Sequence, residues 1–147
     1  MAVLDWIKKQ TDNLQTEIGR FRNKELMEGI VAGCAIVAYA DGFVSPEEKQ
    51  KMVGFIKQSD ALKVFEIEKV IETFNKYLTK FEFDFQIGKG EALASITRLK
   101  SKPDQGQLLV RVCMAIGAAD GNFDPKERDA VIMICHELGL NPKNFEL

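Results

Sequence analysis

The chain has 147 residues, which suits one domain with a substantial buried core. Its formal net charge of −2 argues against nucleic-acid binding, which generally requires a strongly basic face. Three cysteines without Cys-x-x-Cys spacing, together with a single histidine, argue against a disulfide framework and a structural zinc site.

The N-terminal half begins with an amphipathic pattern. Apolar residues recur in steps of three and four, which predicts one helix ending near residues 19–22; the stripe consists of Leu4, Ile7, Thr11, Leu14, Ile18 and Phe21. With Trp6 on this segment, attachment to a membrane surface is an alternative, but so regular a stripe favours packing on the core. Residues 26–40 are apolar on every side, which predicts a central helix surrounded by others.

Further helices are predicted at about 46–57, 66–80 and 84–99, and a second strongly apolar helix at 108–119 precedes a last helix that stops at Gly139. Residues 81–85 alternate like a strand, but they have no partner strand nearby. We interpret them as a helix junction whose phenylalanines enter the core. The sequence therefore predicts an all-α single domain over residues 1–147, with about seven helices.

Membrane insertion and secretion are both unexpected. The longest apolar run, residues 29–40, falls well short of the about 20 residues that a membrane span needs. The first residues carry charge within their apolar part and lack a small-residue cleavage site, unlike a secretion signal. We expect a cytoplasmic protein without a direct membrane span.

One stretch of the chain occurs twice. The second copy follows the first by 79 residues, and the matched pairs are Cys34 and Cys113, Asp41 and Asp120, Gly42 and Gly121, Pro46 and Pro125, and Glu48 and Glu127. This spacing predicts an internal duplication over about 23–58 and 102–139. It further predicts that helices 26–40 and 108–119 are adjacent, largely buried and related by a pseudo-twofold axis.

Acidic residues cluster in both copies of this stretch. Carboxylates near helix-end carbonyl groups offer the hard oxygen ligands that calcium or magnesium prefers, and the candidate ligands are Asp41, Glu47, Glu48, Asp120, Asn122, Asp124 and Glu127. A structural alternative remains open, because aspartates commonly bond the N–H two residues on and glutamates commonly cap helix starts. Neither turn is an EF-hand, since Pro125 stands where that loop requires glycine.

The cysteines offer the second functional reading. An exposed thiol of low pKa could reduce an oxidising anion, but Cys34, Cys113 and Cys135 all lie in apolar segments that favour burial. His136 is expected on a helix surface, and it has no evident nucleophile motif beside it.

Several long strings resemble the TerB family of bacterial tellurite-resistance proteins over almost the whole chain. They are Arg22-Asn23-Lys24, residues 41–52, Leu62-Lys63-Val64-Phe65, residues 83–91 and residues 120–124. The resemblance implies an all-helical fold of two helical units and a cytoplasmic protein that works beside the membrane protein TerC and the calcium-binding TerD-type proteins. Recruitment to the inner membrane would then come from a partner.

The resemblance also implies a role for the acidic positions. The family's suspected metal ligands match Asp41, Glu48, Asp120, Asp124 and Glu127, although Lys126 departs from the more acidic pattern and would weaken a nearby cation. We therefore expect a non-enzymatic module that binds a calcium-type or magnesium-type cation, or docks a protein partner, through its acidic turns. The alternative is a thiol-dependent redox enzyme acting on tellurite.

Overall fold

The computed structural model describes residues 2–11, 14–42 and 44–147. Within these ranges the chain forms eight α-helices, two short 3₁₀ helices and no β-strand. The α-helices are α1 (Ala2–Thr11), α2 (Leu14–Arg20), α3 (Lys24–Ala38), α4 (Pro46–Gln58), α5 (Ile67–Phe83), α6 (Phe85–Thr97), α7 (Pro103–Gly117) and α8 (Pro125–Leu138), and the 3₁₀ helices are Leu62–Val64 and Pro142–Phe145. The predicted all-α single domain is confirmed, with one more helix than expected.

Helix α3 is the central element. It begins at Asn23, whose side-chain oxygen accepts a 2.8 Å hydrogen bond from the Leu26 N–H. Its residues 29–37 are all buried, and the helix contacts α5, α6, α7 and α8. Burial on every side explains the absence of a polar face in the sequence.

The two most apolar helices, α3 and α7, pack directly against each other. A Cβ atom at Gly33 would stand only 2.5 Å from the Cys113 sulfur, so the missing side chain permits this close approach. The Cys113 thiol lies 3.7 Å from the Ile30 carbonyl oxygen. The predicted adjacency of these helices is confirmed, whereas the pseudo-twofold axis and the duplication stay predictions.

The N-terminal segment differs from the single predicted helix. It forms α1 and α2, both packed on α7, and residues 12 and 13 and the side chain of Thr11 lie outside the described residues. Val3, which is not part of the predicted apolar stripe, is buried, whereas Leu4 of that stripe is only half-buried. The Trp6 ring stands edge-on to Phe145 at 6.0 Å. Two short helices meet α7 separately, so one continuous stripe does not predict every buried position.

The junction of α5 and α6 corrects a second expectation. Phe81 is buried, but Phe83 is 86% exposed and Phe85 is 36% exposed, so the three phenylalanines do not all enter the core. On a helix, side chains two positions apart in sequence are separated by about 200° of rotation. Phe83 therefore faces solvent because Phe81, on the same helix, faces the core. The helix junction itself is confirmed, with Asp84 between the two helices.

None of the helices in the described ranges is both long and apolar enough to cross a membrane.

Candidate functional site

Each acidic turn is built on a glycine with a left-handed backbone. Gly42 has φ = 95° and Gly121 has φ = 87°, a conformation that costs glycine less than any residue with a side chain. Both glycines close a turn by donating their N–H at 2.9 Å, Gly42 to the Tyr39 carbonyl and Gly121 to that of Ala118. The Asp-Gly pairs thus end α3 and α7 in matching ways.

The residues that follow begin α4 and α8 with equivalent capping boxes. Ser45 Oγ accepts the Glu48 N–H at 3.1 Å, and Glu48 accepts the Ser45 N–H at 3.4 Å. In the second turn Asp124 accepts the Glu127 N–H at 2.8 Å, and Glu127 accepts the Asp124 N–H at 3.0 Å. These bonds agree with the structural alternative, in which the glutamates cap helix starts. They occupy one oxygen of each carboxylate.

The two aspartates that precede the glycines behave differently. Asp120 Oδ1 accepts the Asn122 N–H at 3.0 Å, which is the Asx-type bond of the structural alternative. Asp41 instead forms an ion pair with Lys126 across the two turns, with 3.8 Å between Oδ1 and Nζ. This contact brings the two turns to one face of the molecule, although 79 residues separate them along the chain.

Helix-end carbonyl groups were expected to be free for a cation. Instead, several accept backbone N–H groups from the turn. The Ala40 N–H donates to the Val37 carbonyl at 3.2 Å, and the Ala119 N–H donates to the Ile116 carbonyl at 3.2 Å. The helix ends tighten into 3₁₀-type bonds, which removes part of the reason for expecting carbonyl ligands.

Glu127 has the most unusual electrostatic environment of the acidic residues. Burial of this half-buried carboxyl group is the main cause that raises its pKa, to about 7, and the nearby charges of Asp124 and Asp120 raise it further. Its second oxygen lies close to Gly117 of α7, 3.5 Å from where a Cβ atom there would stand. Burial therefore disfavours the negative charge of Glu127, and the neighbouring carboxylates add to this effect.

The structure brings some candidate ligands together and keeps others apart. Asp120, Asp124 and Glu127 share the second turn, whereas Glu47 and Glu48 are exposed on the first turn of α4. Over the ranges that the structure describes, no group of three or more His, Cys, Asp or Glu residues has a metal-binding arrangement. The acidic turns thus form a face with a local concentration of carboxylates and no preformed cation cage.

The thiols lie in the core. Cys34, Cys113 and Cys135 are each no more than 1% exposed. The neighbouring Cys34 side chain, together with burial, holds the pKa of the Cys113 thiol well above its usual range. Burial raises the pKa of Cys135 to about 11. Both effects disfavour the thiolate, which is the reactive form of cysteine. The single histidine, His136, is exposed.

A cleft of about 730 Å³ lies elsewhere, between the start of α3 and α5. Its lining includes Arg22, Lys24, Met27, Phe65, Lys69 and Tyr77. Two of its lysines lie near carboxylates, Lys24 at 3.8 Å from Glu28 and Lys69 at 3.9 Å from Glu72. No cysteine or histidine lines this cleft, so it does not restore the thiol-based reading.

Comparison with known proteins decides the family. The family model described as Tellurite resistance protein TerB matches residues 27–147, a range that includes both acidic turns. A relative from Alcaligenes sp. named Tellurium resistance protein TerB is 50% identical over 101 residues, which cover 69% of this chain and 83% of the relative. The chain belongs to the TerB family. No solved structure matches it.

Two features of this TerB-family chain escaped sequence reasoning. The sequence marked Lys126 only as a charge unfavourable to a cation and did not predict that its partner would be Asp41 of the other turn. The exposure of Phe83 and of Ile87, which is 58% exposed, was also missed. The acidic residues on either side of Phe83 gave a weak signal, since Phe83 stands between Glu82 and Asp84.

Proposed function

We propose that this TerB-family chain serves tellurite resistance as a non-enzymatic module, and that the face formed by its two acidic turns binds a divalent cation of the calcium or magnesium type. The observation that carries the proposal is the environment of Glu127, a half-buried carboxyl group beside Asp124 and Asp120 with its pKa raised to about 7. The neighbouring carboxylates that favour a proton on Glu127 would also favour a cation in its place.

The geometry supports binding at the second turn more than at the first. Hydrogen bonds within the turn use one oxygen each of Asp120, Asp124 and Glu127. The second oxygen of Glu127 packs near Gly117, so it would have to move to reach a cation. In the first turn Ser45 replaces the capping aspartate, and Lys126 already neutralises part of the charge of Asp41. A cation would have to draw the free oxygens together on binding.

The experiment is a calorimetric titration of the full chain with calcium, magnesium and zinc. Asp124→Asn and Glu127→Gln each remove a charge while preserving the hydrogen-bonding groups of the capping box. The matched control is Glu48→Gln, which makes the same change at the equivalent exposed position. We expect calcium or magnesium binding that both second-turn variants weaken and the control preserves. Absence of heat with every cation would contradict the proposal.

Docking is the consequence that we propose for cation binding. A bound cation would reduce the negative charge of the acidic face and offer open coordination positions to a carboxylate-bearing partner, and the family resemblance suggests a TerC-like membrane protein or TerD-like calcium-binding proteins. The chain would then act in the cytoplasm and reach the inner membrane through that partner. Co-purification with the TerC-like protein in calcium and in EDTA tests this step, and equal recovery in both would contradict it.

The thiol-dependent enzyme is less well supported. All three cysteines are buried, and the thiols of Cys113 and Cys135 have raised pKa values, which disfavours attack on an oxidising anion. A non-enzymatic role is therefore the better proposal for this chain.

A further inference from the structure

Three large apolar side chains are exposed in the part of the chain that the structure describes, and they lie together. Phe83 is 86% exposed, Ile87 is 58% exposed and Phe85 is 36% exposed. All three belong to the corner where α5 ends and α6 begins, which we call the aromatic corner (residues 81–89). Exposed apolar side chains that are grouped in this way commonly mark an interaction surface, whereas single ones need no explanation.

The aromatic corner is rigid by construction. Asp84 alone connects the two helices, and its side chain caps α6 by accepting the Ile87 N–H at 3.1 Å. A Cβ atom at Gly88 would lie 2.9 Å from the backbone nitrogen of Phe81, so only glycine permits this approach of the two helices. Little conformational entropy would be lost when such a corner binds a partner.

An aromatic cluster anchors the corner to the core. The Phe85 ring stacks on Tyr39 with 5.3 Å between centroids, and Phe81 meets both rings edge-on at 5.3 Å from Tyr39 and 5.6 Å from Phe85. Phe83 and Ile87 have no part in this cluster. Packing in this cluster therefore accounts for the position of the Phe85 ring, whereas Phe83 and Ile87 remain uncovered.

The charges around the corner favour one kind of partner. Lys80 pairs with Glu91, and the Lys89 ammonium group lies 5.9 Å from the centre of the Phe85 ring, so each of these lysines has an attractive contact. Within the described ranges, neither Glu82 nor Asp84 forms an ion pair, and both are exposed. The two charges that flank Phe83 in sequence are therefore negative and lack a counter-charge, while Lys89 keeps its positive charge beside the Phe85 ring.

We propose that the aromatic corner is a docking surface for a protein segment whose apolar side chains cover Phe83 and Ile87 and whose lysine or arginine residues face Glu82 and Asp84. Carboxylates at the edge of an apolar patch attract such a segment and repel anionic lipid and nucleic acid. The surface uses none of the residues in the second acidic turn. Docking at the aromatic corner can therefore be tested independently of cation binding at the second acidic turn.

Selection from random peptides tests both the surface and the chemistry of the partner. Short random peptides displayed on phage are selected on the full-length wild-type chain and counter-selected on a Phe83→Ser/Ile87→Ser double variant. We expect the selected peptides to combine Leu, Phe or Trp with Lys or Arg, and to bind the double variant at least about tenfold more weakly, as for loss of a hot spot. Selected peptides that are acidic, or that bind the double variant equally, would overturn the proposal, as would failure to select any.

A second variant separates charge from folding. Glu82→Gln/Asp84→Asn removes both charges while asparagine can still cap α6. This variant should bind the selected basic peptides several-fold more weakly than the wild type, and its binding should depend less on salt concentration. The matched control, Glu72→Gln/Asp60→Asn, removes two exposed charges elsewhere and should bind as the wild type does. Equal loss in both charge variants would overturn the stated partner chemistry. Thermal melts check that every variant stays folded.

Two other occupants are outcomes of the same study. Sedimentation velocity would reveal self-association, and a dimer that the Phe83→Ser/Ile87→Ser variant dissolves would make a second copy of the chain the occupant. Flotation with phosphatidylcholine and phosphatidylglycerol vesicles would reveal membrane binding, and flotation lost in that variant would make lipid the occupant. Either result would overturn the proposed basic and apolar segment.

Discussion

Lys126 stands 3.8 Å from Asp41, so the second acidic turn supplies the counter-charge of the first. Lys126 occupies the place that Glu47 has in the first copy of the repeated stretch. Both partners are largely exposed, and an exposed pair contributes no more than about 1 kcal/mol to stability. Its larger effect falls on the potential at the acidic face.

Replacing Lys126 with glutamate should therefore strengthen cation binding with little effect on stability. We expect Lys126→Glu to bind calcium more tightly by on the order of 1 kcal/mol, or about fivefold, because a repulsive charge becomes attractive. Calorimetric titration measures the change. Lys51→Glu on α4 alters the net charge equally, and an equal gain in that control would show that only net charge matters.

Glu127 should make stability depend on pH. Its folded pKa of about 7 lies above the ordinary value of 4.5, so the folded chain holds this proton more tightly than the unfolded chain. Its contribution to the free energy of unfolding is fully present below pH 4.5 and is lost as the pH rises through about 7. We expect Glu127→Gln to raise the melting temperature at pH 8 and to leave it unchanged at pH 4.

Partial exposure limits the size of this effect. After allowance for solvent screening, the gain at pH 8 should be on the order of 1 kcal/mol. Glu48→Gln changes the equivalent exposed capping glutamate and serves as the control in the same melts. If Glu127→Gln raised the melting temperature equally at pH 4 and pH 8, titration of Glu127 would be ruled out as the cause.

Asp120 allows the structural and cation-binding roles to be separated. Its bond to the Asn122 N–H should survive in Asp120→Asn, whereas Asp120→Ala should cost about 1 kcal/mol. If the turn also binds calcium, the wild-type melting temperature should rise with calcium by mass action, and that of Asp120→Asn should rise less. Thermal melts in EDTA and in calcium measure both effects. Identical midpoints with and without calcium for the wild type would leave Asp120 with its turn-forming role alone.

The thiols should be inert in the folded protein. Because Cys34, Cys113 and Cys135 are buried, we expect a thiol reagent to label none of them rapidly at pH 8. All three should react once the chain is denatured, which provides the internal control. Rapid labelling of one thiol in the folded state would instead support the hypothesis of a thiol-dependent redox enzyme.

Gly33 should be intolerant of a side chain. An added methyl group would press on the buried Cys113 sulfur, and overpacking of this kind costs about 1 to 3 kcal/mol. Part of the loss should return in the Gly33→Ala/Cys113→Ala double variant, because the sulfur is then absent. Gly54 of α4 has no atom within 4 Å of the added methyl position, and Gly54→Ala should instead stabilise the chain by up to about 1 kcal/mol. Chemical unfolding of the four proteins, wild type included, measures these differences.

Local signals determined much of the fold from the sequence alone. Ser45 and Asp124 cap the starts of α4 and α8, and Gly42 and Gly121 form the left-handed turns before them. These are local signals, because a cap or a left-handed glycine depends on residues only a few positions away. Residues 29–37 were also placed in the core, since a helix without a polar face has no side that suits water.

Tertiary structure alone decided the properties of the site. The raised pKa of Glu127 depends on its burial beside α7, and the Asp41–Lys126 pair depends on how two distant turns approach each other. Periodicity could not show that Phe81 would be covered while Phe83 stayed exposed, because the pattern gives spacing along the chain and not the neighbours that cover each face. Burial and charge pairing are set by contacts between elements far apart in sequence, and those contacts exist only once the helices have packed.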